Sequence, residues 1–128
     1  MDKVKTIIID DSEFFRKMMQ DLCKSLELEL LYSFSSGDSF LEKVKEGAYK
    51  DCELLLLDIN LPGKSGKELL FELLKELPDL IVIMVSSLSG LETVNECLIN
   101  GAANYINKDT SLQDMKDIIQ STLKMNGF

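Results

Sequence analysis

The chain has 128 residues, of which 22 are acidic and 14 basic, giving a formal net charge of −8 at pH 7. That length fits one domain, residues 1–128, able to bury roughly two-thirds of its unfolded surface without disulfide or metal staples. The surplus of carboxylates argues against direct binding of nucleic acid or an anionic membrane, and favours cations and partners with basic surfaces. Histidine is absent, which excludes serine–histidine triads, histidine general bases, histidine-ligated zinc and phosphohistidine made on this chain. Cys23, Cys52 and Cys97 show no CxxC spacing and read as buried free thiols of a reducing compartment. The opening Met1-Asp2-Lys3-Val4-Lys5 leads into only a short apolar run, so no signal peptide is expected, and no apolar run approaches the ~20 residues of a membrane span. The expected location is the cytoplasm.

Val4 to Ile9 is β-branched and too short for a helix, and so predicts a buried strand. From Glu13 to Leu26, Phe14, Met18 and Leu22 recur at i, i+4 and i+8, flanked by Phe15, Met19, Cys23 and Leu26. That spacing predicts a helix with one broad apolar face, N-capped by Ser12. Leu28 to Phe34 is a second strand, placed near a sheet edge by Glu27 and Glu29. Asp38 is expected to cap a short helix carrying Phe40, Leu41 and Val44 and closed by Gly47.

Leu54 to Leu57 is apolar on both faces and reads as a central strand, with the Pro62-Gly63 turn deciding against a helix. A helix from Ser65 to Leu77 stops at Pro78, and Leu80 to Val85 is the fourth strand. Ser89-Gly90-Leu91-Glu92 forms a capping box for a helix ending at Gly101. Ala103 to Ile106 is a brief fifth strand. Thr110 or Ser111 then caps a helix with Leu112, Met115, Ile118, Ile119 and Leu123 on one face. Met125 to Phe128 reads as a fraying terminus. Regular alternation of this kind predicts an α/β fold, a doubly wound parallel sheet with helices on both faces and ligands at the carboxyl ends of the strands.

Those ends carry Asp10 and Asp11 after strand one, Asp58 after strand three, Ser86 and Ser87 after strand four, and Lys108 after strand five. Three carboxylates brought together repel unless a cation neutralises them, and with no histidine or cysteine at hand the donors are all oxygen. Mg²⁺ suits such a set best. Asp58 is then a competent nucleophile toward phosphorus, with Lys108 and the Ser86 hydroxyl able to hold phosphoryl oxygens. Lys64 and Lys67 read as solvated residues of the next helix.

Ile7-Ile8-Ile9-Asp10-Asp11-Ser12, Asp58-Ile59-Asn60-Leu61-Pro62-Gly63-Lys64-Ser65-Gly66, Val85-Ser86-Ser87 and Gly101-Ala102-Ala103-Asn104-Tyr105-Ile106-Asn107-Lys108 together resemble the receiver domain of bacterial two-component response regulators. The resemblance spans essentially the whole chain. It implies a flavodoxin-like five-stranded sheet of order 2-1-3-4-5. Asp58 matches the phosphoacceptor, Asp11 and Asp58 the Mg²⁺ ligands with Asp10 acting through water, and Asn60 the residue whose main-chain carbonyl completes them. Ser86 and Tyr105 match the switch pair, and Lys108 the lysine that pairs with the phosphoryl group.

The implied partner is a sensor histidine kinase or histidine phosphotransfer protein. The chain would catalyse its own phosphotransfer and slow autodephosphorylation, changing the surface of helix four, strand five and helix five. Two departures stand out: Asp109 replaces the usual proline after the lysine, and Leu88 replaces a polar residue two positions beyond the switch serine. Lys-Asp is common among receivers attached to helix-turn-helix domains, which makes such an output domain, and phosphorylation-dependent homodimers, further expectations. An apolar Leu88 would restrict attacking water. The alternative is a receiver-like interaction module that is never phosphorylated. A flavin carrier would need a Ser/Thr/Gly-rich cradle after strand one, and a haloacid-type hydrolase a second aspartate where Asn60 stands.

Overall fold

The computed structural model describes residues 2–88 and 90–128. Five strands, β1 (Lys5–Ile9), β2 (Glu29–Phe34), β3 (Leu54–Leu57), β4 (Ile81–Ser86) and β5 (Asn104–Asn107), form one parallel sheet of order β2-β1-β3-β4-β5. Between and after them run α1 (Glu13–Ser25), α2 (Gly37–Lys45), α3 (Gly66–Glu76), α4 (Leu91–Ile99) and α5 (Leu112–Met125). The fold is the flavodoxin-like arrangement, and β2 is an edge strand as Glu27 and Glu29 suggested.

Strand periodicity divides the core into two. Ile7, Ile9, Leu55, Leu57, Val82 and Met84 face α2, α3 and α4, while Ile8, Leu54, Leu56, Ile83 and Val85 face α1 and α5. Each fully buried leucine of β3 contributes on the order of 1.5–3 kcal/mol, which is why this short strand holds the centre. On α4 only Cys97 is buried, and Leu91 and Ile99 face solvent. No helix among the described residues is long and apolar enough to cross a membrane.

Two local expectations change, and a third lies outside the described residues. The first turn of α2 begins one residue before Asp38, after Ser36, and its first residue, Gly37, packs so closely on Leu69 that a Cβ there would lie 1.9 Å from Leu69 Cδ1. Asp38 sits in the first turn, where its charge complements the helix dipole. The cap expected at Ser89 lies outside the described residues, and α4 follows Gly90. The terminus does not fray: Gly127 takes φ +93°, and the Gly127 and Phe128 amides donate to the Lys124 and Leu123 carbonyls, closing α5 in a Schellman motif. α1 closes in the same way with Glu27 at φ +57°, a left-handed position that costs this residue about 1 kcal/mol.

All three cysteines are free and buried. Burial pushes the Cys23 and Cys52 thiols up to about 12 and raises that of Cys97. Little thiolate is therefore available near neutral pH. We expect a disulfide reagent such as DTNB to leave all three unmodified in the native protein at neutral pH and to titrate all three in guanidinium. Rapid modification of the native chain would contradict this burial.

Candidate functional site

The carboxyl ends of β1, β3 and β5 meet on one rim. Ladder bonds continue past the strands and fix the backbone there: Asp10 N–H donates to the Phe34 carbonyl (3.1 Å), Asp58 N–H to Ile9 (3.0 Å) and Lys108 N–H to Ser86 (2.9 Å). Asp10 Oδ1 accepts from Ser12 N–H at 2.9 Å, and Ser12 Oγ accepts from Phe15 N–H at 3.2 Å, so the first carboxylate is part of the start of α1. Arg16 Nη1 donates to the Asp10 carbonyl at 2.7 Å.

Lys108 ties the rim together. Its Nζ lies 2.8 Å from Asp10 Oδ2 and 3.2 Å from Asp58 Oδ2, and 4.3 Å from the centre of the Phe15 ring. Asp10 and Asp58 are buried, whereas Asp11 is exposed. One carboxylate oxygen from each of the three lies within 4.8 Å of the others. Three carboxylates against one ammonium leave the site net negative. An all-oxygen set of this charge and spacing fits a hard divalent cation.

Burial, and then the neighbouring Asp10 charge, raise the Asp58 carboxyl above its ordinary value, with Lys108 and the Asn60 N–H opposing. Burial works against the Lys108 ammonium, but the Asp10 and Asp58 carboxylates outweigh it and raise its pKa. The signs differ in consequence. Lys108 contributes stability that is complete below its unfolded value near 10.5 and is lost as pH rises through its higher folded value. The ionised Asp58 costs stability, and the cost disappears as pH falls through its raised value toward the unfolded 3.8.

Around this cluster, Asn60 N–H donates to Asp58 Oδ1 at 3.4 Å. Ser86 is buried, and its hydroxyl accepts from Leu88 N–H at 3.3 Å; among the described residues no hydrogen bond joins it to Asp58. The Tyr105 hydroxyl donates to the Leu88 carbonyl, so Ser86 and Tyr105 grip the two sides of one peptide residue. Burial raises the Tyr105 phenol, with the Ser86 hydroxyl opposing. Asp109 N–H donates to Asn107 Oδ1 at 2.8 Å, a bond that proline in its place could not make. Lys64 and Lys67 stand off the cluster, paired with Glu72 and Glu96. Sequence reading missed Phe15 and Arg16 here. Phe15 carries only a core signal, and nothing local marks Arg16 as reaching back to Asp10.

Gly66 sets the position of Asp58 from behind. Its N–H donates to the Ile59 carbonyl at 2.7 Å, and a Cβ on it would lie 2.2 Å from the Asp58 carbonyl oxygen and 2.7 Å from Ile59 Cα. The obstacle is backbone, which cannot swing aside. Gly66→Ala should therefore cost about 2 kcal/mol in urea unfolding and weaken divalent-cation binding in calorimetry. An unchanged midpoint and unchanged affinity would contradict this packing.

The family model of the response regulator receiver domain matches residues 6–120. The chain belongs to this receiver-domain family. Receiver domains of known structure superpose closely on it. One is a chain of the CheX–CheY complex with beryllium fluoride and magnesium from Borrelia burgdorferi, at 26% identity, TM-score 0.86 and coverage of 93% of this chain and 88% of that one. Another is a CheY-like receiver protein from Methanospirillum hungatei, at 26% identity, TM-score 0.85 and coverage of 98% and 97%. Among curated relatives, a protein-glutamate methylesterase/protein-glutamine glutaminase of Clostridium acetobutylicum is 32% identical over 123 residues, 91% of this chain and 35% of that protein. The glycerol metabolism activator of Pseudomonas putida is 29% identical over 97% of this chain and 56% of its own length. This receiver therefore spans about a third to a half of those longer relatives.

Proposed function

We propose that residues 1–128 form a phosphorylation-dependent signalling switch with Asp58 as phosphoacceptor. What supports the reading above all is the Lys108 ammonium held between the Asp10 and Asp58 carboxylates, with Asp11 within reach. Asp11, Asp58 and the Asn60 main-chain carbonyl would hold Mg²⁺, with Asp10 acting through a water. When bound, Mg²⁺ offsets the negative charge of the site and of an arriving phosphoryl group.

An Asp58 carboxylate oxygen attacks the phosphorus of a phosphohistidine on a sensor kinase or histidine phosphotransfer protein. The O–P bond forms as the P–N bond breaks, the electron pair returns to the imidazole nitrogen, and Asp58 becomes an acyl phosphate. Lys108 pairs with one phosphoryl oxygen. Ser86 accepts from Leu88 while keeping its own hydroxyl proton to give to another. Drawing Ser86 toward the phosphoryl group pulls on Leu88, which Tyr105 also holds, and so alters the surface of α4, β5 and α5. Water attack on the acyl phosphate resets the domain, and Leu88 beside Ser86 limits that water.

The differing lengths of the relatives support a receiver that controls a separate output, of helix-turn-helix type or otherwise; a cytoplasmic location and phosphorylation-dependent pairing are part of the same proposal. The test is incubation with acetyl phosphate and Mg²⁺ followed by intact mass measurement. One phosphoryl group per chain, lost with EDTA, is expected. No uptake at any donor concentration would overturn the reading.

A further inference from the structure

Lys108 has a third neighbour that is not an acid. Phe15, in the first turn of α1, is 7% exposed, and its ring centroid lies 4.3 Å from Lys108 Nζ, on the ammonium that Asp10 and Asp58 share. The ring is doubly fixed. Its backbone N–H is held by the Ser12 cap, and its side chain belongs to the buried core between the sheet and α1 and α5 that also includes Ile8, Ile106 and Met115. A buried aromatic face attracts an ammonium electrostatically, whereas an alkyl side chain of similar bulk offers only contact.

We propose that Phe15 is a positioning residue for phosphoryl transfer, holding the Lys108 ammonium over Asp58 through the negative face of its ring. The inference rests on the phosphoacceptor reading and deepens it. With acetyl phosphate as donor, the Asp58 O–P bond forms while the P–O bond to acetate breaks and the electron pair leaves on acetate. The ammonium that meets the transferred oxygens must already be in place, because charge compensation works best when nothing has to reorganise. Without the ring, Lys108 keeps its two carboxylates but loses the contact that fixes it from the side of α1.

Phe15→Leu and a series of fluorinated phenylalanines placed at position 15 alone test this. The fluorinated rings keep nearly the same shape while draining the negative face. The rate of phosphoryl uptake from acetyl phosphate should fall stepwise along the series, reaching about fivefold in total, with the unfolding midpoint little changed. In the unphosphorylated protein, the Lys108 ε-methylene proton signal should lie upfield under the ring and move back in Phe15→Leu. A flat rate series, or a Lys108 signal indifferent to Phe15→Leu, overturns the proposal. Absence of uptake by the native chain would instead overturn the phosphoacceptor reading, with the Lys108 signal still deciding whether the ring holds the ammonium.

Discussion

Asp58→Asn is expected to abolish phosphoryl uptake and at the same time to stabilise the protein. The amide retains the shape of the side chain but cannot attack phosphorus. It also removes an ionised group that burial and the Asp10 charge both disfavour. With EDTA present, the variant should gain about 1 kcal/mol, or about 4 °C in thermal unfolding. The native protein should gain stability as pH falls from neutrality through the raised Asp58 value, and Asp58→Asn should lose that dependence. A variant that is labelled, or one that is less stable than the native chain at neutral pH, would contradict this account of the site.

Lys108→Met should have the opposite effect on stability and a large effect on chemistry. The methionine keeps the aliphatic stem beside Phe15 but leaves Asp10 and Asp58 facing each other without their common cation. Removing one partner of a buried pair is strongly destabilising, and the partial exposure of Lys108 reduces the loss to about 2 kcal/mol. Phosphoryl uptake should fall on the order of 10²-fold, the usual consequence of deleting one charge-compensating donor. Because ammonium and metal compensate the same carboxylates, Mg²⁺ should stabilise Lys108→Met more than it stabilises the native protein. Equal Mg²⁺ stabilisation of the two would show that Lys108 and the cation do not share those acids.

Much of this is legible in the sequence. Val4 to Ile9, Leu54 to Leu57 and Leu80 to Val85 read as buried parallel strands because the runs are short, two of them are β-branched, and the Pro62-Gly63 turn decides the leucine run against a helix. Once the sheet is parallel, Asp10, Asp58 and Lys108 fall on one rim as a matter of topology. What escaped depends on distant chain segments approaching. α2 begins at Gly37, whose missing Cβ leaves room for Leu69, rather than after the better capping residue Asp38. Gly66 has the ordinary look of a helix start, yet its lack of a Cβ is what admits the Asp58 backbone. Phe15 looks like any other apolar residue on α1, and only the path of the β5–α5 loop puts an ammonium on its face.

The most direct measurement is chemical mapping of the phosphoryl group. Protein treated with acetyl phosphate and Mg²⁺ is reduced with borohydride, which converts an aspartyl phosphate to homoserine, and is then digested and sequenced by mass spectrometry. Homoserine at position 58 and at no other carboxylate is the predicted result. Label at Asp10 or Asp11, or on a hydroxyl that borohydride leaves intact, would contradict the assignment of Asp58 as nucleophile.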